Sequence, residues 1–173
     1  MRKLGYMKPQ DIAVLLKIIS MNGKAWKMMD LASQLFISQS EISHALERNR
    51  LAGLIDDEKR HVHRTSLMEF LAFGIKYCFP VKPGEIVRGI PTAHSAEPLC
   101  RKIQSNIDIY VWQDTDGSLR GQKIEPLFLK IPKAVQEDPV FYEMTALIDA
   151  IRVGKSREYQ IAVDLLRKRI QNK

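Results

Sequence analysis

Six side chains between residues 39 and 48 carry hydrogen-bonding chemistry at helical spacing: Gln39, Ser40, Ser43, His44, Glu47 and Arg48. An amide, two hydroxyls, an imidazole and a guanidinium are the groups that pair with base edges and phosphates in a DNA groove. Gln39, Ser40, Ser43 and His44 are the candidates for base edges, and Arg48 is a candidate for phosphate. Glu47 on the same face counts against that reading, because a carboxylate repels phosphate. The competing reading is a trihelical packing module whose polar face is simply solvated.

The elements that must present this face are legible from spacing. Ser38-Gln39-Ser40-Glu41 is an S-x-x-E capping box, which fixes where a helix begins and therefore which residues face out. Ile42, Ala45 and Leu46 then point inward. Upstream, Met28, Leu31, Ala32 and Leu35 recur at i, i+3, i+4 and i+7, one face of an α-helix. Only Phe36 and Ile37 separate the two helices, so they must cross steeply, as in a helix-turn-helix pair. Before them, Pro9 and Asp11 suit the start of a supporting helix with Ile12, Leu15, Leu16, Ile18 and Ile19 on its apolar face, ended by Asn22-Gly23. Core packing is the role expected of that helix, although an exposed Lys17 could touch a phosphate. After residue 52, Gly53-Leu54-Ile55 opens a short hairpin with its turn at residues 56–59 and its return strand at 60–65. Arg60 and Arg64 on this wing are further phosphate candidates, although Asp56, Asp57 and Glu58 make its tip acidic.

The run LASQLFISQSEISHALERNRLAGLI resembles the DNA-binding core of MarR-like winged-helix transcription regulators. The matching residues are Leu31, Ala32, Leu35, Ile37, Ser38, Ser40, Ile42, Ser43, Gly53, Leu54 and Ile55. They cover roughly the first third of the chain. Two positions depart from the family pattern. Phe36 stands where glycine is usual, and a bulky residue at positive φ is strained, so a differently built turn is expected. Lys27 stands where a Ser or Thr cap is usual. The resemblance implies a bacterial DNA-binding regulator that dimerises through its terminal helices. A fainter resemblance of FPVKPGEIVRGIPTAHSA and DAIRVGKSRE to winged-helix proteins of toxin–antitoxin-type gene neighbourhoods implies autoregulation.

Composition sets the outer bounds. The chain has 173 residues, 45% of them hydrophobic and 27% charged, which fits a globular protein and gives no sign of overall disorder. No apolar run is long enough for a membrane span, and the first ten residues lack a secretory core. Cys78 and Cys100 form no C-x-x-C motif, so two reduced thiols in a cytoplasmic setting are expected. The net charge is +7, with 11 basic and 7 acidic residues in the first 65. That bias favours an acidic partner such as double-stranded DNA over a membrane surface.

Beyond the wing, Ser66-Leu67-Met68-Glu69 reads as a second capping box opening a helix to about residue 73. Residues 78–98 hold four prolines and two glycines, which predicts an ordered extended loop without central strand. Arg88, Thr92 and His94 could form a ligand or partner site there, and a structural strap is the plainer reading. Residues 107–112 and 121–128 predict a β-hairpin about a turn at Asp114-Thr115-Asp116-Gly117. That turn lacks the downstream ligands of a calcium loop. Two amphipathic helices follow. One carries Phe141, Met144, Leu147, Ile148 and Ile151, and the other carries Tyr159, Ile161, Ala162, Leu165, Leu166 and Ile170. They suggest an interface, or a pair packed on their own chain.

The expected fold class is mainly α (α+β). Residues 1–75 form a winged helix-turn-helix, and residues 76–173 form an extended loop, a β-hairpin and two C-terminal helices for dimerisation or partner binding. No catalytic motif is present: no G-x-S-x-G, no phosphate-cradling glycine loop, no H-E-x-x-H. His61 and His63 have a chelating spacing but no third ligand at a matching distance. No enzyme activity, cofactor or metal is therefore expected. The function expected is that of a sequence-specific DNA-binding transcription regulator, a homodimeric repressor. The alternative is a protein-interaction module, antitoxin-like or an adaptor, that uses its C-terminal helices.

Overall fold

A computed structural model describes residues 5–103, 108–154 and 156–171. The chain is α+β, with helices before and after one small three-stranded sheet. Helix α1 (Pro9–Ser20) is buried along residues 11–19, deeper than an amphipathic stripe requires. It is enclosed by α2 (Met28–Leu35) and α3 (Gln39–Leu51) on one side and by the C-terminal α8 (Pro139–Val153) on the other. Such a helix must be apolar nearly all round. The sequence IAVLLKII meets that demand except at Lys17. Lys17 is 3% exposed and donates from Nζ to the Asp138 carboxylate at 2.6 Å. The expectation of an exposed lysine there was wrong, because the partner carboxylate lies 121 residues downstream.

Helix α4 (Arg64–Glu69) runs through a π-helical stretch, Phe70–Gly74, into α5 (Ile75–Cys78). It begins two residues before Ser66, after His63, so Ser66 to Glu69 is not a capping box. The helical path also continues past residue 73 and crosses the expected domain boundary at residues 75 and 76. At the π stretch the carbonyl of Ala72 accepts from the Tyr159 hydroxyl at 2.6 Å, on α9 (Ser156–Gln171).

The proline-rich segment departs most from expectation. Strand β1 (Ile86–Pro91) lies within it, and is antiparallel to both β2 (Tyr110–Gln113) and β3 (Leu119–Lys123). Pro91 sits at the strand's end, where its missing N–H interrupts no ladder. Because both partners run against β1, β2 and β3 are parallel, with Tyr110 opposite Gln122, and the three strands close into a barrel. The expected hairpin of β2 with β3 is therefore absent. Closure at this size demands close backbone approach. A Cβ on Gly89 would strike the Trp112 carbonyl, and one on Gly117 would strike the Gly89 backbone.

Short helices α6 (Leu99–Lys102) and α7 (Ile131–Ala134) complete the fold. One contiguous apolar cluster runs from Ile12 on α1 to Ile170 on α9. Its centre is α8, buried from Met144 to Ile151, so the stripe expected to form an interface is enclosed by the chain itself. Asp149 on α8 is fully buried. It accepts from Trp112 Nε1 at 2.5 Å, Thr92 Oγ1 at 2.9 Å and Arg152 Nη1 at 2.8 Å. Burial raises its carboxyl pKa, against the opposing pull of Arg152, Trp112 and Thr92. Thr92 is thereby accounted for structurally. His94 bonds through Nε2 to the Asp108 carbonyl at 2.6 Å, while Arg88 is exposed. Among the described residues no helix is long and apolar enough to cross a membrane.

Candidate functional site

The site is built on α3 and on the turn that precedes it. The capping box at the start of α3 is formed as the sequence predicts. The Glu41 N–H donates to Ser38 Oγ at 3.2 Å, and the Glu41 carboxylate accepts from the Ser38 N–H at 3.1 Å. Helix α2 opens with the reciprocal half alone: the Asp30 carboxylate accepts from the Lys27 N–H at 2.7 Å. Between the helices Phe36 adopts the left-handed conformation, φ 55° and ψ 41°. The turn expected to be rebuilt around phenylalanine instead keeps the geometry that favours glycine. A left-handed residue with a Cβ costs about 1–2 kcal/mol. The Lys133 ammonium stands 4.1 Å from the Phe36 ring centroid, an arrangement worth about 0.5–1 kcal/mol at an exposed site.

Gln39, Ser40, Ser43 and His44 are all exposed on one side of α3, with Ile42, Ala45 and Leu46 buried behind them. The structure thus brings together the four residues named for base contact. The three arginines named for phosphate are differently placed. Arg48 is turned inward and is 9% exposed. It makes a fork to Asp11, Nε to Oδ2 at 2.7 Å and Nη2 to Oδ1 at 2.6 Å, and this pairing raises its pKa. Its expected place on the solvent face is corrected: a buried carboxylate on α1 outcompetes solvent for the guanidinium. Asn49 beside it donates to the Asp11 carbonyl at 2.9 Å, so α3 is locked onto α1 through one residue's side chain and backbone.

Arg64 is half-buried and donates from Nη1 to the Ile170 carbonyl at the end of α9. It is the first residue of α4, not part of a return strand. Arg60 remains exposed. Its guanidinium lies 4.8 Å from the Trp26 ring centroid, and Nη1 donates to the Trp26 carbonyl at 3.0 Å. The loop carrying it is pinned at its base by the single bridge of Ile55 with Val62. Asp56 organises the tip by accepting from the N–H groups of Arg60 at 2.6 Å and His61 at 3.1 Å. Burial alone would raise the Asp56 carboxyl. Those backbone bonds and the His61 ring outweigh it and hold the pKa at about 2.

His61 pairs through Nδ1 with Asp56 at 2.8 Å, whereas His63 Nδ1 donates to the Gly53 carbonyl at 2.9 Å. The two rings thus serve separate partners. Arg60 and Arg64 both line an open cleft of about 910 Å³ with Ile18, Trp26 and Val62.

Glu47 is not a free charge on the α3 face. It accepts from Arg50 at 2.8 and 3.1 Å and pairs with Lys59 at 2.6 Å. The hydrogen bonds from Arg50 and Lys59 lower its pKa to about 2. Arg50 also reaches Asp57 at 3.1 Å. The acid that weighed against a groove-facing surface is therefore neutralised, and so are the two cations beside it.

Sequence reasoning missed Lys133, because nothing in the order of the chain brings residue 133 to the turn at residue 36. Trp26 as the platform for Arg60 was equally hidden. No family model, curated protein or solved structure was found to match this chain.

Proposed function

We infer that the chain is a winged helix-turn-helix protein that binds double-stranded DNA by sequence and regulates transcription. The observation that carries this reading is the row Gln39, Ser40, Ser43 and His44, exposed together on a helix whose start is capped and whose back is locked to α1. Side chains that read base edges need a fixed backbone, because a bidentate contact tolerates little displacement. In this reading α2 and α3 form the helix-turn-helix pair, α3 enters the major groove, and residues 53–63 are a short wing. The MarR-like residues from Leu31 to Ile55 agree with it.

The phosphate contacts assigned from sequence are reduced to Arg60, since Arg48 and Arg64 are engaged internally. Two copies on one duplex would place half-sites about 34 Å apart, or a multiple of that. The apolar stripe of α8 is enclosed, so a second copy would dock on other surfaces.

The test is selection of duplexes from a random pool by the purified chain, followed by titration of Gln39→Ala on the enriched duplex. The expected loss is about 1–3 kcal/mol, with preference relaxed at one base pair. A pool that shows no enrichment would refute the reading. One observation favours a protein-interaction module instead: Phe73 and Tyr77 stand 67% and 74% exposed on the helical path from residue 64 to 78. Capture of a defined protein partner that is lost in a Phe73→Ser, Tyr77→Ser variant, without duplex binding, would favour that alternative.

A further inference from the structure

If α3 lies in a DNA groove, its surroundings carry a deficit of positive charge. Arg48 is cancelled by Asp11, while Arg50 and Lys59 share Glu47 and Asp57. The exposed residues of α3 that face out are neutral apart from Glu41, which is occupied as the cap. Duplex binding depends on neutralising phosphates, each neutralised phosphate releasing condensed counterions. The cations must come from elsewhere.

We propose that Lys133 within α7 and Lys130 just before it, far outside the helix-turn-helix in sequence, form a phosphate-binding pair on the same surface as Gln39, Ser40, Ser43 and His44. This rests on the DNA-binding reading above and extends its site by a second segment of chain. Three observations place the pair. Helix α7 packs beside α2, with Ile131, Ala134 and Val135 buried beneath it. Lys133 lies over Phe36, two residues before the Ser38 cap of α3. Lys130 stands three residues before Lys133, and its carbonyl accepts from the Lys133 N–H at 3.1 Å, which puts both on one turn.

Both lysines are exposed, and no ion pair among the described residues engages either. Of the acids nearest in sequence, Glu125 pairs with Lys123 and Glu137 pairs with neither lysine among those residues. An ammonium held over an aromatic ring has no anion beside it to offset its charge, whereas one held by a carboxylate does. Lys133 is thus both positioned and uncompensated, a combination that none of Arg48, Arg50 and Lys59 has.

The test compares the full chain with Lys130→Ala, Lys133→Ala and the double variant on the enriched duplex and on a scrambled duplex of equal length, across a salt series. Each substitution is expected to lower affinity roughly fivefold at 0.15 M salt, alike on both duplexes, and to reduce the log–log salt slope by about 0.9. Lys133→Arg, which keeps the charge, should restore the slope. If the parent binds with a steep salt dependence and the double variant keeps the parent's slope, the proposal is overturned while the DNA-binding reading stands. If the parent shows no salt-sensitive duplex binding, that reading fails and takes the proposal with it. An unchanged thermal midpoint in the variants separates lost contact from lost fold.

Discussion

Helices α3 and α8 are built on the same device and put it to different ends. Each carries an arginine engaged with an aspartate, Arg48 with Asp11 and Arg152 with Asp149. In α3 the pair fastens one side of the helix to α1 and leaves the other side to solvent. In α8 the pair lies inside, and Asp149 also collects Trp112 from β2 and Thr92 from the end of β1. Arg152 extends the network to the carbonyls of Phe79 and Glu125. One aspartate orients a surface, while the other holds a barrel, a loop and a helix together. A buried ion pair is therefore not by itself a sign of a site. What matters is whether the helix it fixes has an exposed face left to present.

The comparison can be broken most directly by deleting the two carboxylates. Asp149→Ala strands Arg152 and removes the acceptor of Trp112 and Thr92, and is expected to cost about 3–5 kcal/mol. Asp11→Ala strands Arg48 and frees the Lys8 N–H at the start of α1, with no further side chain involved, and should fall in the lower part of that range. Urea unfolding of both variants checks the order, and equal losses would mean that the two ion pairs carry the same structural weight.

The caps differ in the same sense and give a smaller effect. Asp138 caps α8 by accepting from the Phe141 N–H at 2.9 Å, while Lys17 and Ser20 hold the same carboxylate at 2.6 and 2.7 Å. Burial by itself would raise its pKa, but these bonds outweigh that and lower it below 3.8. A lowered folded pKa means stability that is complete above 3.8 and lost as pH falls through the folded value. Asp149 has the opposite sign: its raised carboxyl adds stability as pH falls through its folded value toward 3.8. Unfolding of Asp138→Asn from pH 7 to pH 2 should therefore show a flatter acid limb than the parent. An unchanged limb would mean that the bonds from Lys17, Ser20 and the Phe141 N–H together leave the acid response untouched.

The smallest effect belongs to the exposed cap of α3. Ser38→Ala should cost about 1 kcal/mol by thermal or urea unfolding. A loss as large as that from Asp11→Ala would mean that the cap, not the buried pair, fixes α3.

The local signals in the sequence were legible where a helix and its cap are close in the chain. The three N-terminal helices, the Ser38–Glu41 box and the outward row on α3 all rest on residues within a turn or two of each other. The failures share a cause. Helical spacing places Arg48 outward because it carries no trace of the partner, Asp11, 37 residues away. Strand β1 is hidden because Pro80, Pro83 and Pro91 advertise a loop, although the residues it pairs with β3, Ile86 to Gly89, are free of proline and Pro91 stands only at the end of its pairing with β2. The hairpin was expected from neighbouring β-rich runs. Which way two strands run is set by the third strand between them, and periodicity says nothing of that. Phe36 shows the converse case. Its strain was foreseen, but the ring's cover by Lys133 was not.

The contact between Lys17 and Asp138 also has a meaning in time. The two residues are 121 positions apart. At synthesis rates of about 5–20 residues per second, the ammonium precedes its carboxylate by roughly 6–24 s. Throughout that interval the face of α1 that α8 will cover has no cover, and a charge that ends up sealed in the interior faces water. Helices α1 to α3 are made before α8, which completes their support.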